Sequence, residues 1–255
     1  MTHEISNFIF FHKYEEKFFD FQEADRNQQA DAYADFLRNF VDFTQSCYKV
    51  PKCSAVSIGK CLFAKMTDAS LHFNTPVRTL AILSWAKTHG LNLLSGEILA
   101  IWFHDSIHKI NAAHGVNEFN GARFMTALMS QWLDPSQLTR VQSAIEDTRK
   151  CLDLEPSQNT RVIDLTLSSF TWPDDSRKTA NKALIKQLSR LYCKDKICKL
   201  RKSILEKLLK RDPFFNTPLF TRTFHKIAID NVKKDLEDLN GIVVGRSERE
   251  TQVSS

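Results

Sequence analysis

Residues 72–90 read HFNTPVRTLAILSWAKTHG, and this stretch decides the fold class. Thr75 is a residue type favoured at an N-cap, and Pro76 suits the first helical position because its missing N–H has no helical partner there. Gly90 is a natural terminator, since it accepts the left-handed conformation that ends many helices. A second helix starts almost at once at Ser95, with Glu97 in its first turn, where the helix dipole favours an acid. Its apolar run ends abruptly in AIWFHDSIHK, residues 100–109.

The same pattern extends outward in both directions. Ala30, Tyr33, Ala34, Leu37, Phe40 and Val41 share one face of a first helix over about 28–45, with a connection over 46–57 and a short helix over 58–67. Downstream, the periodicity predicts helices over 117–132, from Asp134–Pro135 onward, around 160–170, and over 176–192, 195–211 and 218–239. The tetrapeptide FNTP occurs at 73–76 and again at 215–218, each time placing Thr-Pro at a helix start, which reads as shared capping chemistry. With only seven Gly and seven Pro in 255 residues there is little turn chemistry for sheets, and the class expected is all-α.

Composition bounds the function. Hydrophobic residues make up 42% and charged residues 25%, the balance of a globular protein, and 19 Phe point to a core of large rings. No apolar stretch approaches the roughly 18–20 residues that span a bilayer. MTHEISNFIFFHKYEEKFF, at the N-terminus, has only a short apolar patch between charges, so neither a signal peptide nor an anchor is expected. Cys47, Cys53, Cys61, Cys151, Cys193 and Cys198 include no CxxC pair, which fits free thiols in a reducing compartment and a cytoplasmic protein. Of the net charge of +5, the segment 194–211 alone carries +6, from eight Lys/Arg against Asp195 and Glu206. Ile197, Leu200, Ile204 and Leu208 recur through it at helical spacing, so it reads as the solvated basic face of an amphipathic helix. Nucleic acid is disfavoured as a partner, because interleaved aromatics and a second basic element are missing.

The chemistry concentrates at 104–108. On a continuing helix His104 and His108 share a face and can meet one ion; alternatively His104 and the adjacent Asp105 converge on an ion at the helix end. Imidazole nitrogen with carboxylate oxygen suits divalent metals. The plain alternative is a His-Asp pair capping a helix terminus, with His108 in the last turn interacting with the helix dipole.

The order of segments resembles the small cytosolic subgroup of the HD superfamily of metal-dependent phosphohydrolases. The matching residues are Phe73-Asn74-Thr75-Pro76-Val77-Arg78, Trp102-Phe103-His104-Asp105, Asn117-Glu118 with Gly121-Ala122, and Asp164-Leu165-Thr166-Leu167. A closing match runs from Arg211 to Thr217 and then over Ala228-Ile229-Asp230-Asn231-Val232. The resemblance covers about 58–240, leaving residues 1–57 as an N-terminal helical extension and 241–255 as a polar tail expected to be disordered. It implies a compact helical bundle with a metal in its core, held by a first His, the His-Asp pair and a distant Asp.

His104 and Asp105 match the pair, but the first-His position falls on Arg78 and the distant-Asp position on Thr166. A guanidinium stays protonated and offers a metal no lone pair, and a Thr hydroxyl is a poor substitute for a carboxylate. His72, Asp164, His108 and His114 are the nearby residues that could rebuild a site, although Asp164 lies about 200° around a helix from Thr166. His108 is the strongest of these, giving a His104–Asp105–His108 set. Alternatively, Arg78 takes the ion's place and pairs with Asp105, with Asp164 as a further partner.

Two functions follow. In one, the fold is a degenerate phosphohydrolase relative that binds a phosphorylated small molecule, a nucleotide or a protein partner with little or no catalysis. Arg78, Asn117 and Lys109 are then the ligand contacts, and no metal is needed. In the other, a divalent Mn, Fe, Mg or Co ion on His104 and Asp105 drives hydrolysis of a nucleotide or small phosphate ester. There Asp105 is catalytic, Glu118 positions the water or takes its proton, and Lys109, Arg123 and Arg149 touch phosphate.

Overall fold

The computed structural model describes residues 18–152 and 157–252, with side chains through 239. Among these residues there are α-helices and short 3-10 turns and no strand. The helices are α1 (Arg26–Tyr48), α2 (Lys52–Met66), α3 (Pro76–Thr88), α4 (Ser95–Phe103) and α5 (Val116–Met129). They continue with α6 (Pro135–Asp147), α7 (Thr160–Leu167), α8 (Asp174–Ser189), α9 (Lys194–Leu209) and α10 (Pro218–Gln252). The bundle is all-α, as the sparse turn chemistry implied. None of the described helices is long and apolar enough to cross a membrane.

Two helices lie at the centre. Every residue of α4 from Ile98 to Phe103 is fully buried, and every residue of α3 from Pro76 to Ala86 is buried. A helix without a polar face needs neighbours on all sides. For α4 they include α3, α5, α6 and α7. Because α4 and α3 bury their whole circumference, the end of α4 and the first turn of α3 are also interior. That is why a charged cluster at these termini is buried.

Local chemistry sets several boundaries. Asp25 starts α1 through a reciprocal cap, accepting from the Gln28 N–H at 2.9 Å, and Lys49 ends it in the left-handed region at φ 57°. Asp134 caps α6 in the same way through Gln137. Thr75 and Pro76 begin α3 as expected, but the Thr75 hydroxyl makes no capping bond. Gly90 follows α3 with φ 63°, the conformation that favours glycine.

The segment read as a connection over 46–57 is largely helical. Helix α2 begins at Lys52 and runs through residue 57, the boundary drawn for the N-terminal extension. Ala55 and Ile58 are buried against α1, and Gly59 makes the close approach possible, since a Cβ there would sit 2.9 Å from a Leu37 methyl. The decisive contact is tertiary, and local spacing carried no sign of it.

Helix α1 in turn closes on α4. The rings of Phe36 and Phe40, one turn apart, meet Trp102 edge-on at 4.9 and 5.3 Å between centroids. Such aromatic pairs add about 0.5–1.5 kcal/mol beyond the area they bury. Residues of the extension and of the 58–240 segment thus belong to one hydrophobic core. The backbone of α10 continues to Gln252, while the disorder expected from Gly241 concerns a segment whose side chains lie outside the described residues.

Removing the Phe36 ring leaves a cavity against Trp102, and Phe36→Ala is expected to lower the unfolding free energy by about 3–5 kcal/mol in urea titration. A loss below about 1 kcal/mol would mean that α1 is an appendage, since surface changes usually stay within that range.

Candidate functional site

The His-Asp pair sits where α4 stops. The helix ends at Phe103, His104 is its C-cap residue, and Ser106 N–H turns back onto the Phe103 carbonyl at 3.1 Å. His108 therefore does not share a helical face with His104, because no helix connects them. The helical spacing that suggested a His104–Asp105–His108 set is therefore not realised, and among the described residues no three His, Cys, Asp or Glu side chains are grouped to hold an ion.

Arg78, in the first turn of α3, reaches the pair directly. Its Nη1 contacts Asp105 Oδ2 and lies 2.9 Å from His104 Nε2, while Nη2 donates to the Thr166 carbonyl at 3.3 Å. The His104 Nδ1 faces the Ile101 carbonyl at 2.7 Å, so that nitrogen carries a hydrogen and the Nε2 lone pair is turned to the guanidinium. His104 Nε2 and Asp105 Oδ2 are 3.1 Å apart. Two ligands at about 2.1 Å from one divalent ion would be separated by about 3.0 Å in octahedral and about 3.4 Å in tetrahedral geometry. The pair thus has the spacing of two metal ligands, and a guanidinium nitrogen occupies the point between them. With a fixed cation there and two donors where a closed site needs about four, the residues present do not fit a metal ion.

The rest of the cluster positions the carboxylate. Asn74 Nδ2 donates to Asp105 Oδ1 at 2.9 Å, and Asn74 Oδ1 accepts from Gln187 Nε2 at 2.9 Å. Gln187, buried on α8, uses its Oε1 to accept the backbone N–H groups of His72 and Phe73 at 3.0 and 2.9 Å. This clamps the bend that leads into α3 and fixes the Asn74 amide. The Phe73 ring lies 4.7 Å from the Arg78 guanidinium carbon, so the cation is held on an aromatic face as well.

Burial works to raise the Asp105 carboxyl, but the adjacent Arg78 guanidinium outweighs it and holds Asp105 far below the usual carboxylate range. Burial pushes the His108 imidazole down, helped by Arg78 and His104 and opposed by Asp105.

The other sequence candidates fall into distinct places. Thr166 turns its hydroxyl to the Ile163 carbonyl at 2.7 Å and offers Arg78 only its backbone oxygen. Asp164 does not partner Arg78. It is fully buried, and it accepts from Asn216 N, Asn216 Nδ2 and Thr217 N, each at 2.8 Å, at the start of α10. Burial raises its carboxyl, and those N–H groups oppose the shift. His72 pairs with Asp20 at 2.9 Å. His114 is exposed. Asn117 closes the 109–117 loop by bonding both backbone groups of Lys109, at 2.9 and 3.1 Å. Glu118 is half-buried in the first turn of α5, whereas Arg123 and Arg149 are exposed.

Arg78, His104, Asp105, His108 and Glu118 line a cavity of about 240 Å³ whose wall also includes the turns at 148–152 and 168–171 and residues of α7, α8, α9 and α10. Lys109 lies instead along a second, open depression that shares only His108 with the first. Sequence reasoning missed Gln187, which gave no signal on an amphipathic helix. It also missed the inward turn of Arg201 and Arg211, which were counted within a solvated basic face. Compared with protein-family models, curated proteins and solved structures, the chain returns no match.

Removing Arg78 leaves a buried uncompensated charge, so Arg78→Met should cost about 3–5 kcal/mol, and adding Asp105→Leu should restore much of that loss. A double-mutant cycle in urea reads the coupling directly, and additive losses would rule out the pair. Because the folded-state pKa of Asp105 is depressed, its stabilisation is complete above the unfolded value of about 4 and is lost as the pH falls below it. Unfolding midpoints followed from pH 6 down to pH 2 should therefore drop less in the Arg78→Met/Asp105→Leu double variant than in the wild type.

Proposed function

We propose that this protein is a ligand-binding, non-hydrolytic relative of the HD-type phosphohydrolases, in which the Arg78 guanidinium takes the place of the catalytic ion. The observation that carries the reading is the position of Arg78 Nη1, in contact with Asp105 Oδ2 and 2.9 Å from His104 Nε2. Hydrolysis of a phosphate ester near neutral pH needs a strong nucleophile, and a metal supplies one by lowering the pKa of bound water toward 7. A guanidinium supplies positive charge without that acidifying coordination. What the cavity retains is the capacity to bind: an interior volume, apolar walls and several buried arginines. Its ligand on this reading is a small phosphorylated or otherwise anionic molecule.

The contrasting reading keeps a metal on His104 and Asp105 with Glu118 handling the water's proton. Glu118 lining the same cavity is the observation in its favour.

Elemental analysis of the purified protein, with phosphate release from a nucleotide panel in added Mn²⁺, Mg²⁺, Fe²⁺ or Co²⁺, separates the two. The proposal expects no stoichiometric metal and no turnover, and it expects Arg78→His with Thr166→Asp to gain metal binding. Stoichiometric metal with turnover that disappears in His104→Ala and Asp105→Ala would overturn it.

A further inference from the structure

The cavity carries its cations unequally. Arg78 has both terminal nitrogens committed, Nη1 to Asp105 and His104 and Nη2 to Thr166. Arg177, on α8, contacts Asp235 Oδ1 through Nη1 and donates to Asp174 Oδ1 at 2.9 Å through Nη2. Arg201, on α9, differs. Its Nη2 donates to the neutral Asn181 Oδ1 at 2.6 Å, and Asp235 Oδ2 lies 3.9 Å away, beyond hydrogen-bond reach. Arg177 thus has two carboxylates within hydrogen-bond distance, Asp174 and Asp235, whereas Arg201 has none: its nearest, Asp235 Oδ2, makes no hydrogen bond.

Arg201 is therefore a cavity-lining cation with a neutral hydrogen-bond partner and no hydrogen-bonded counter-charge, a placement that is costly unless an anion meets it. Burial, and then the neighbouring Arg177, bring the Arg201 guanidinium down to about 10. Its flat face is steadied by the Phe170 ring, 5.7 Å from the guanidinium carbon. Besides Asp235, the carboxylates along the cavity are Asp105, just beyond the end of α4, and Glu118 on α5, and Arg78 neutralises Asp105. Leu152, Leu184 and Ile204 supply apolar lining. At about 240 Å³ the space lies below the roughly 300–1,000 Å³ of sites for drug-sized ligands.

We infer that Arg201 anchors an oxyanion subsite, taking the carboxylate or phosphate of a small ligand whose apolar body lies along Leu152, Leu184 and Ile204. The inference rests on the cavity being a ligand site, and it places the charge-binding end at the α8–α9–α10 wall rather than at Arg78. A guanidinium with free N–H groups pairs with either oxyanion through parallel hydrogen bonds.

Titration calorimetry with phenyl phosphate, hexanoate and the neutral benzyl alcohol tests it. At least one anion is expected to bind, about tenfold or more tighter than benzyl alcohol, and the tighter anion identifies the oxyanion. Arg201→Met should abolish that preference. Asn181→Asp provides a check independent of folding: it supplies a carboxylate to Arg201, so the melting temperature should rise while anion affinity falls about tenfold or more. Failure of both anions to bind, undiminished binding in Arg201→Met and Asn181→Asp, or loss only in Arg78→Met would overturn the assignment. Metal-dependent turnover would overturn the non-hydrolytic reading and leave the Arg201 result standing, so the two failures are distinguishable.

Discussion

The structure depends on one buried ion pair, Arg78 with Asp105, at the meeting of two helices that have no exposed face. Helices α3 and α4 form the centre of the bundle, and where they end their polar groups have no water to turn to. A carboxylate placed there requires a cation. Arg78 supplies it from the first turn of α3, a position at which the helix dipole alone would disfavour a positive charge. Asp105 offsets that penalty, so each residue makes the other's location tolerable. The contact with His104 follows from the same geometry, because the ring's other nitrogen is committed to the Ile101 carbonyl.

A second regularity surrounds this pair. In both copies of FNTP the asparagine is a relay between a long side chain and a buried aspartate. Asn74 accepts from Gln187 and donates to Asp105, while Asn216 accepts from Arg211 and donates to Asp164. Each aspartate is thereby tied to the start of a helix, α3 in one case and α10 in the other. Asp164 accepts backbone N–H groups and takes on the role of a cap, whereas Asp105 is left with an oxygen for Arg78. The same four letters thus produce two functions, and what separates them is the cation at residue 78. Substituting apolar residues for such a buried network need not lose stability.

Much of the fold was legible because helices announce themselves locally. Start signals at Thr75–Pro76, Ser95 and Asp134, the stop at Gly90 and the periodicity of 117–132 placed most helices within a few residues. Helix α2 was partly missed because its first turns are held by contact with α1 through Ala55 and Gly59. The site was half legible. An arginine at residue 78 and an acid at residue 105 were both in view, and their opposite charges indicated the pair. Gln187 and the inward course of Arg201 were not legible, since an amphipathic helix with many charges gives no sign of which one turns inside.

Sequence by itself determined that the chain is helical, that an acid lies at the end of its most apolar helix, and that an arginine stands at the start of the preceding one. These are consequences of local propensity and of charge, which act within a few residues. Tertiary structure decided what those groups do. It ended α4 at Phe103 and so removed His108 from the face of His104; it gave Asp164 to α10, and it gave Asp105 to Arg78. It also left Arg201 against a carboxylate already shared. The reason is physical: a buried charge is satisfied by whichever partner the packing brings within about 3 Å, and packing joins residues that are far apart in sequence.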